Sequence, residues 1–127
     1  MRKDRSMAKI KHIAIHAHDQ EKARDFYINT FGMKEVGESK SKTGGRAIYL
    51  SDGYINLAIL PCGEGMPDRL GHFGFEVDDI EETGKKAAAS GGSSKIAARP
   101  RDGRFAEYRI ADTCGIGIDL SKGGWKV

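Results

Sequence analysis

The chain has 127 residues and a formal charge of +3, the size of one domain with room for a real core. Arg2, Lys3, Arg5, Lys9 and Lys11, set against Asp4, hold more than that whole excess within the first eleven residues, so the remainder is close to neutral and offers no basic surface for nucleic acid. No apolar run nears the ~20 residues of a membrane span, "MRKDRSMAK" has basic residues with no apolar stretch behind them, and Cys62 and Cys114 make no disulfide framework; the expectation is a cytoplasmic protein with two free thiols and neither membrane nor nucleic-acid partners.

Residues 9 to 17 alternate, with Ile13, Ile15 and Ala17 on one face and His12, Ala14 and His16 on the other, the period of a half-buried strand. Asp19 is placed to cap a helix on which Ala23, Phe26, Tyr27 and Phe31 recur at helical spacing, and Gly32 supplies its stop. Three strands are expected next: "KEVGES" at 34–39, "GRAIYLS" at 45–51 and "YINLAIL" at 54–60, joined by "KTGG" and "SDG" as hairpin connections. The unit reads βαβββ.

The second half repeats the first. "HIAIHAHDQEKA" from His12 aligns with "HFGFEVDDIEET" from His72, an offset of 60 (12 to 72), with His on His and apolar on apolar. Phe73, Phe75 and Val77 then face a helix, while His72, Gly74 and Glu76 take the opposite face. Asp78 or Asp79 caps that second helix, which carries Ile80, Thr83, Ala87 and Ala88 inward and stops at "SGG". Strands follow at 95–100, 105–112 and 116–121, and the last strand of each half aligns so that Asn56 corresponds to Asp119, an offset of 63 (56 to 119). No linker divides the halves. The expected organisation is a basic tail at 1–8, a single domain at 9–122 with modules at about 9–61 and 70–122, and a short tail at 123–127.

The paired modules, "KIKHIAIHAHDQEKARDFYINTFGMKEVGE" at the front, "GHFGFEVDDIEE" in the middle and "ADTCGIGIDLS" near the end resemble the vicinal oxygen chelate superfamily, which groups glyoxalase I, methylmalonyl-CoA epimerase, extradiol dioxygenases, fosfomycin-resistance enzymes and bleomycin-binding proteins. The resemblance implies an α+β fold in which two βαβββ modules form a cup-shaped mixed sheet with helices outside. It also implies metal ligands on the first and last strand of each module: His12, Asn56, His72 and Asp119. Two positions depart from the common pattern. Asp119 stands where Glu is usual and is one methylene shorter; Asn56 stands where Glu or Gln is frequent and is a short, neutral donor. Two imidazoles and one carboxylate remain, a set that suits one divalent ion (Fe, Mn, Co, Ni or Zn) and leaves adjacent coordination positions open.

His16, two residues along the face from Ala14, is a candidate catalytic base because an unperturbed imidazole titrates near neutrality, and Glu76, its repeat partner, is a second, with an ion pair to Arg46 or Arg109 as its structural alternative. His18 is expected in solvent beside the cap. Tyr27, Phe31, Phe73 and Phe75 are spaced as core, while Tyr49, Phe105, Tyr108 and Trp125 are candidates for the mouth of the cup. "GGWKV" either folds back across that mouth or hangs free. Two function classes follow from the resemblance. One is a metal-dependent lyase, isomerase or dioxygenase acting on a small molecule with neighbouring oxygens; the other is a metal-free protein that binds or sequesters a small molecule, as bleomycin-binding members do. Small members usually dimerise, which sets the expectation of a homodimer.

Overall fold

The computed structural model describes residues 7–40, 45–93, 97–98 and 108–127. Most of the "KTGG" connection, Phe105 and most of the strand expected at 95–100 lie outside the described residues. In chain order the elements are β1 (Lys9–Ala17), α1 (Gln20–Phe31), β2 (Lys34–Lys40), β3 (Arg46–Ser51), β4 (Asn56–Pro61), β5 (Arg69–Glu76), α2 (Ile80–Ala89), β6 (Ala97–Ala98), β7 (Tyr108–Ala111) and β8 (Gly117–Ser121). This is βαβββ twice over.

The eight strands of the described residues form one mixed sheet in the order β2-β3-β4-β1-β5-β8-β7-β6. The two modules are therefore mirror images in strand order, joined at the centre by their first strands. β1 runs antiparallel to β5, and each module's last strand runs parallel to its first, β4 beside β1 and β8 beside β5.

The helix ends are built as their caps dictate. Asp19 accepts a hydrogen bond from the Lys22 amide at 3.0 Å, and Gly32 closes α1 with φ at 73°, a left-handed conformation that glycine adopts without a Cβ penalty. Asp79, not Asp78, caps α2 by accepting from the Glu82 amide, and Glu81 and Glu82 sit in the first turn where the helix dipole favours negative charge.

Each helix covers its own half of one sheet face. Against α1 lie Ala17, Ile48, Leu50, Leu57 and Ile59, joined by Ile13, Ile15, Ala23, Tyr27 and Ile28. Against α2 lie Val77, Ile110, Ile118 and Leu120, joined by Phe73, Phe75, Ile80, Ala87 and Tyr108. Ile48, Leu50, Ile59 and Leu120 are fully buried, so truncating one to Ala costs about 2–5 kcal/mol.

Several expected packing positions change. Phe26 and Phe31 are more than half exposed because the packing stripe of α1 runs through Ala23, Tyr27 and Ile28; both phenylalanines instead meet the Tyr27 ring on the outer surface. On α2 the buried position is Gly84, and Ala88 points to solvent. Tyr108 belongs to the helix-side core and not to the mouth of the cup, since in a strand it must face opposite to Arg109. No helix among the described residues is long and apolar enough to cross a membrane.

Candidate metal centre

The face without helices carries the polar groups. The strand register places Asn56 beside His12, His12 beside Gly74, Gly74 beside Asp119 and Asp119 beside Arg109. One row thus crosses five strands, from β4 to β7, at a single level. His72, two residues before Gly74, sits opposite Ala14 and reaches the row from one step along β5.

His12, Asn56 and Asp119 are buried polar residues, and buried polar groups need partners. His12 Nδ1 donates to Asn56 Oδ1 at 3.0 Å, and Asn56 Nδ2 donates to the Lys126 carbonyl at 3.0 Å. His72 Nε2 lies 2.9 Å from Asp119 Oδ2, and Arg109 Nε donates to Asp119 Oδ1 at 2.7 Å. Burial pushes the Asp119 carboxyl up, but the hydrogen bonds from His72 and Arg109, with their charges, outweigh it and hold the group well below the ordinary carboxylate range. Asp119 is therefore ionised at neutral pH.

One ligand atom from each of His12, His72 and Asp119 lies within 4.8 Å of the other two. The His12 and His72 rings are 5.4 Å apart, tilted by 43°. Trp125 is stacked on His12 at 4.9 Å. The carboxy-terminal segment therefore folds back onto the site, and the absence of a side chain on Gly74 makes this possible: a Cβ there would lie 2.7 Å from Trp125 Cη2. Among the described residues, Arg109 Nη2 is buried with no hydrogen-bond partner.

Three of the four expected ligands thus converge. The fourth, Asn56, has both ends of its amide engaged, one by His12 and one by the chain end. The two base candidates stand apart. His16 donates through Nδ1 to the Pro61 carbonyl at 2.9 Å, with its ring against Gly71, the residue skipped where the β1–β5 register slips. Glu76 lies at the far end of β5, opposite Lys9 and Ser121, with its carboxylate near Gly123. Neither ion pair suggested for Glu76 forms: Arg46 pairs with Glu38 and Glu21, and Arg109 pairs with Asp119. Sequence reasoning missed Arg109 as part of the site, whereas Trp125 was among the candidates for the mouth of the cup and the fold-back of "GGWKV" is the alternative that the structure shows. Arg109 sits opposite Asp119 as Ser51 sits opposite Asn56, the equivalent place in the other module.

Residues 9–120 match the family model of the Glyoxalase/Bleomycin resistance protein/Dioxygenase superfamily. The chain belongs to this superfamily. Among curated proteins it is similar to a probable trivalent organoarsenical cleaving enzyme of Bacillus subtilis (strain 168), 32% identical over 106 residues, which are 84% of this chain and 64% of the relative. The chain thus spans less than two thirds of that relative's length. Among solved structures it is similar to a hypothetical protein from Bacillus halodurans C-125, with a TM-score of 0.72 at 17% identity, covering 95% of this chain and 98% of that one. It is also similar to a methylmalonyl-CoA epimerase in complex with methylmalonyl-CoA, with a TM-score of 0.69 at 22% identity, covering 95% and 99%. A third is a mutant 4-hydroxymandelate synthase from Streptomyces coelicolor, with a TM-score of 0.70 at 17% identity, covering 89% of this chain and 38% of that one. These structural likenesses establish the glyoxalase-type fold.

Proposed function

We propose that this chain is a metal-dependent enzyme of the glyoxalase/dioxygenase superfamily, in which His12, His72 and Asp119 hold one divalent ion of the Fe, Mn, Co, Ni or Zn series and a small substrate with neighbouring oxygens reacts. The observation that carries the reading is the convergence of those three ligand atoms within 4.8 Å on the helix-free face of the sheet. The donor set fits: two imidazoles and an ionised carboxylate suit such ions, and a ligating histidine characteristically donates its other ring N–H to a fixed acceptor, as His12 does to Asn56. When bound, the ion supplies Lewis-acid polarisation of substrate oxygens and open coordination positions.

The remaining residues do the rest. Asn56 fixes the His12 tautomer with the proton on Nδ1, which makes Nε2 the ligating nitrogen. Arg109 holds Asp119 through Nε and carries a second, buried nitrogen, Nη2, whose natural partner is an anionic or carbonyl oxygen of the substrate. Trp125 lies flat against the His12 ring as an apolar wall of the site. With the Asn56 amide engaged elsewhere, a three-ligand centre is favoured over a four-ligand one. This favours oxygen-dependent cleavage over lyase or isomerase chemistry, and a trivalent organoarsenical, the substrate class in the Bacillus relative's name, belongs among the first compounds to test.

One observation favours a second reading, a metal-free binding protein: Asp119 already pairs with both His72 and Arg109. The experiment is reconstitution with Fe(II) or Mn(II) under anaerobic conditions, with metal stoichiometry read in wild type and His72→Ala, followed by turnover of a catechol, a 2-oxoaldehyde–thiol adduct and a trivalent organoarsenical with and without oxygen. One ion bound by wild type and none at this centre in His72→Ala is the expected result. Equal binding by both, or none by wild type, favours the second reading, while turnover independent of oxygen favours a lyase or isomerase.

A further inference from the structure

His18 lies six residues beyond His12, about 20 Å further along an extended chain. It meets Cys62, just past β4, and Asp68, in the connection between the modules, so that one ligand atom from each lies within 4.8 Å of the others. His18 Nδ1 donates to Asp68 Oδ1 at 2.7 Å, the same oxygen accepts the His18 backbone N–H at 3.0 Å, and His18 Nε2 is 3.2 Å from the Gly63 carbonyl. Cys62, a free thiol, points Sγ at the carbonyls of Met66 and Pro67, 3.4 and 3.3 Å away, and accepts from Arg69 Nη1 at 3.6 Å. That guanidinium also donates to the Pro67 carbonyl, and a bound cation would have to displace it from the sulfur. A thiol, an imidazole, a carboxylate and three carbonyl oxygens thus share one small volume. What separates these electron-pair donors is protons, on sulfur and on nitrogen, and a cation that displaces protons from such a set gains every lone pair at once. Thiolate and carboxylate together carry the two negative charges that a divalent ion neutralises.

We propose that His18, Cys62 and Asp68 form a second metal site, for a thiophilic divalent cation of the zinc class, outside the cup. Sulfur, imidazole nitrogen and carboxylate oxygen are the three ligand types that zinc takes in proteins, and a carbonyl or water completes four. His18 and Asp68 are exposed side chains, free to turn the short distance that tetrahedral bonding demands. The ion would tie the connection between the modules to the end of β1 next to the Asp19 cap. This site stands independently of the His12 centre, which contains no sulfur.

That difference supplies the test. Titrating the full chain with Co(II) without oxygen reads thiolate-to-metal charge-transfer absorption, to which the His12 centre cannot contribute. The band is expected in wild type, in Cys114→Ser and in His72→Ala, and is expected to vanish in Cys62→Ser and to weaken in His18→Gln and Asp68→Asn. Absence of the band in wild type at saturating Co(II), or its persistence in Cys62→Ser, overturns the site. As a second reading that needs no ligand variant, Zn(II) is expected to slow maleimide alkylation of Cys62 in Cys114→Ser protein; equal rates with and without Zn(II) overturn it as well.

Discussion

Trp125 lies flat against His12, ring centroids 4.9 Å apart and planes within 2°. A residue three from the chain end thus covers the first ligand of the candidate centre, and the neighbouring Lys126 carbonyl accepts from Asn56. Trp125 is the sole tryptophan, so its emission reports on the site. In a Cys62→Ser background, which removes the second site, titration with Co(II) is expected to quench tryptophan fluorescence in step with binding. His72→Ala added to that background should abolish the quenching. Emission that stays constant while Co(II) binds would separate Trp125 from the ion.

The stacking depends on an empty position. Gly74 sits between His12 and Asp119 in the cross-strand row, and a Cβ there meets Trp125 Cη2 at 2.7 Å and the Asp119 carbonyl at 3.2 Å. Gly74→Ala is expected to displace the indole, shift its emission to the red and cost about 1–3 kcal/mol of stability as an overpacked site. The cost should shrink when Trp125→Ala is combined with it. Urea unfolding of the two single variants and the double variant closes the cycle; additive costs would mean that Gly74 matters for another reason.

The fold was largely legible because its signals are local or repeated. Alternation marked β1 and β5, Asp19 and Gly32 marked the ends of α1, and the offset of 60 brought His12 and His72 into equivalent places. Asp119 followed from the matching last strands. The adjacency of β1 and β5, which draws the two histidines together, lies in the sheet order, which neither alternation nor the repeat specifies. Arg109 was not legible as a site residue, because it reaches Asp119 across a strand pair, and Trp125 was legible only as one of two alternatives, because a tail of irregular backbone without periodicity does not say whether it folds back. Phe26 and Phe31 misled for the opposite reason: helical spacing tells which residues share a stripe, but not how wide a stripe the sheet covers.

Acid should find the same site. Asp119 is held below its ordinary value in the folded protein, and the unfolded carboxyl titrates near about 3.9. A depressed folded value contributes stability that is fully present above the unfolded value and is lost as pH falls through the folded one. Metal-free protein is therefore expected to lose stability below about pH 4. Asp119→Asn should be less stable near neutrality, because Arg109 and His72 lose their partner, and should show a shallower fall in acid. Urea midpoints between neutral pH and about pH 3 check both; an unchanged acid slope in the variant would remove Asp119 as the source.

The outer surface of α1 bears on assembly. No residue of that helix is fully buried, and Phe26, Phe31 and Leu70 are 55%, 66% and 73% exposed. A groove of about 590 Å³ runs between α1 and the start of β5, lined by Ile15, Phe26, Tyr27 and Leu70 among others. Exposed apolar area of this kind marks interaction surfaces, and a homodimer is the expected occupant. Sedimentation should give a dimer at micromolar concentration, and Phe26→Glu with Leu70→Glu should shift it to monomer. A wild-type monomer would dismiss the pairing.

Asn56 decides between three ligands and four. Its Oδ1 accepts from His12 Nδ1 and its Nδ2 donates to the Lys126 carbonyl, so its contribution is to hold the His12 ring in orientation and tautomer. Removing an orienting partner of this kind weakens metal binding by about 10–100-fold, whereas removing the sole carboxylate ligand abolishes it. Asn56→Ala is therefore expected to bind Fe(II) or Mn(II) at that reduced affinity and Asp119→Ala not at all. Asn56→Asp keeps an acceptor for Nδ1–H, adds negative charge behind the imidazole and should restore affinity to wild type or beyond. Anaerobic titration of the three variants orders them. If Asn56→Ala loses the ion as completely as Asp119→Ala, position 56 is itself a ligand, the centre has four, and proton-transfer chemistry of the lyase or isomerase kind replaces oxygen-dependent cleavage as the better reading.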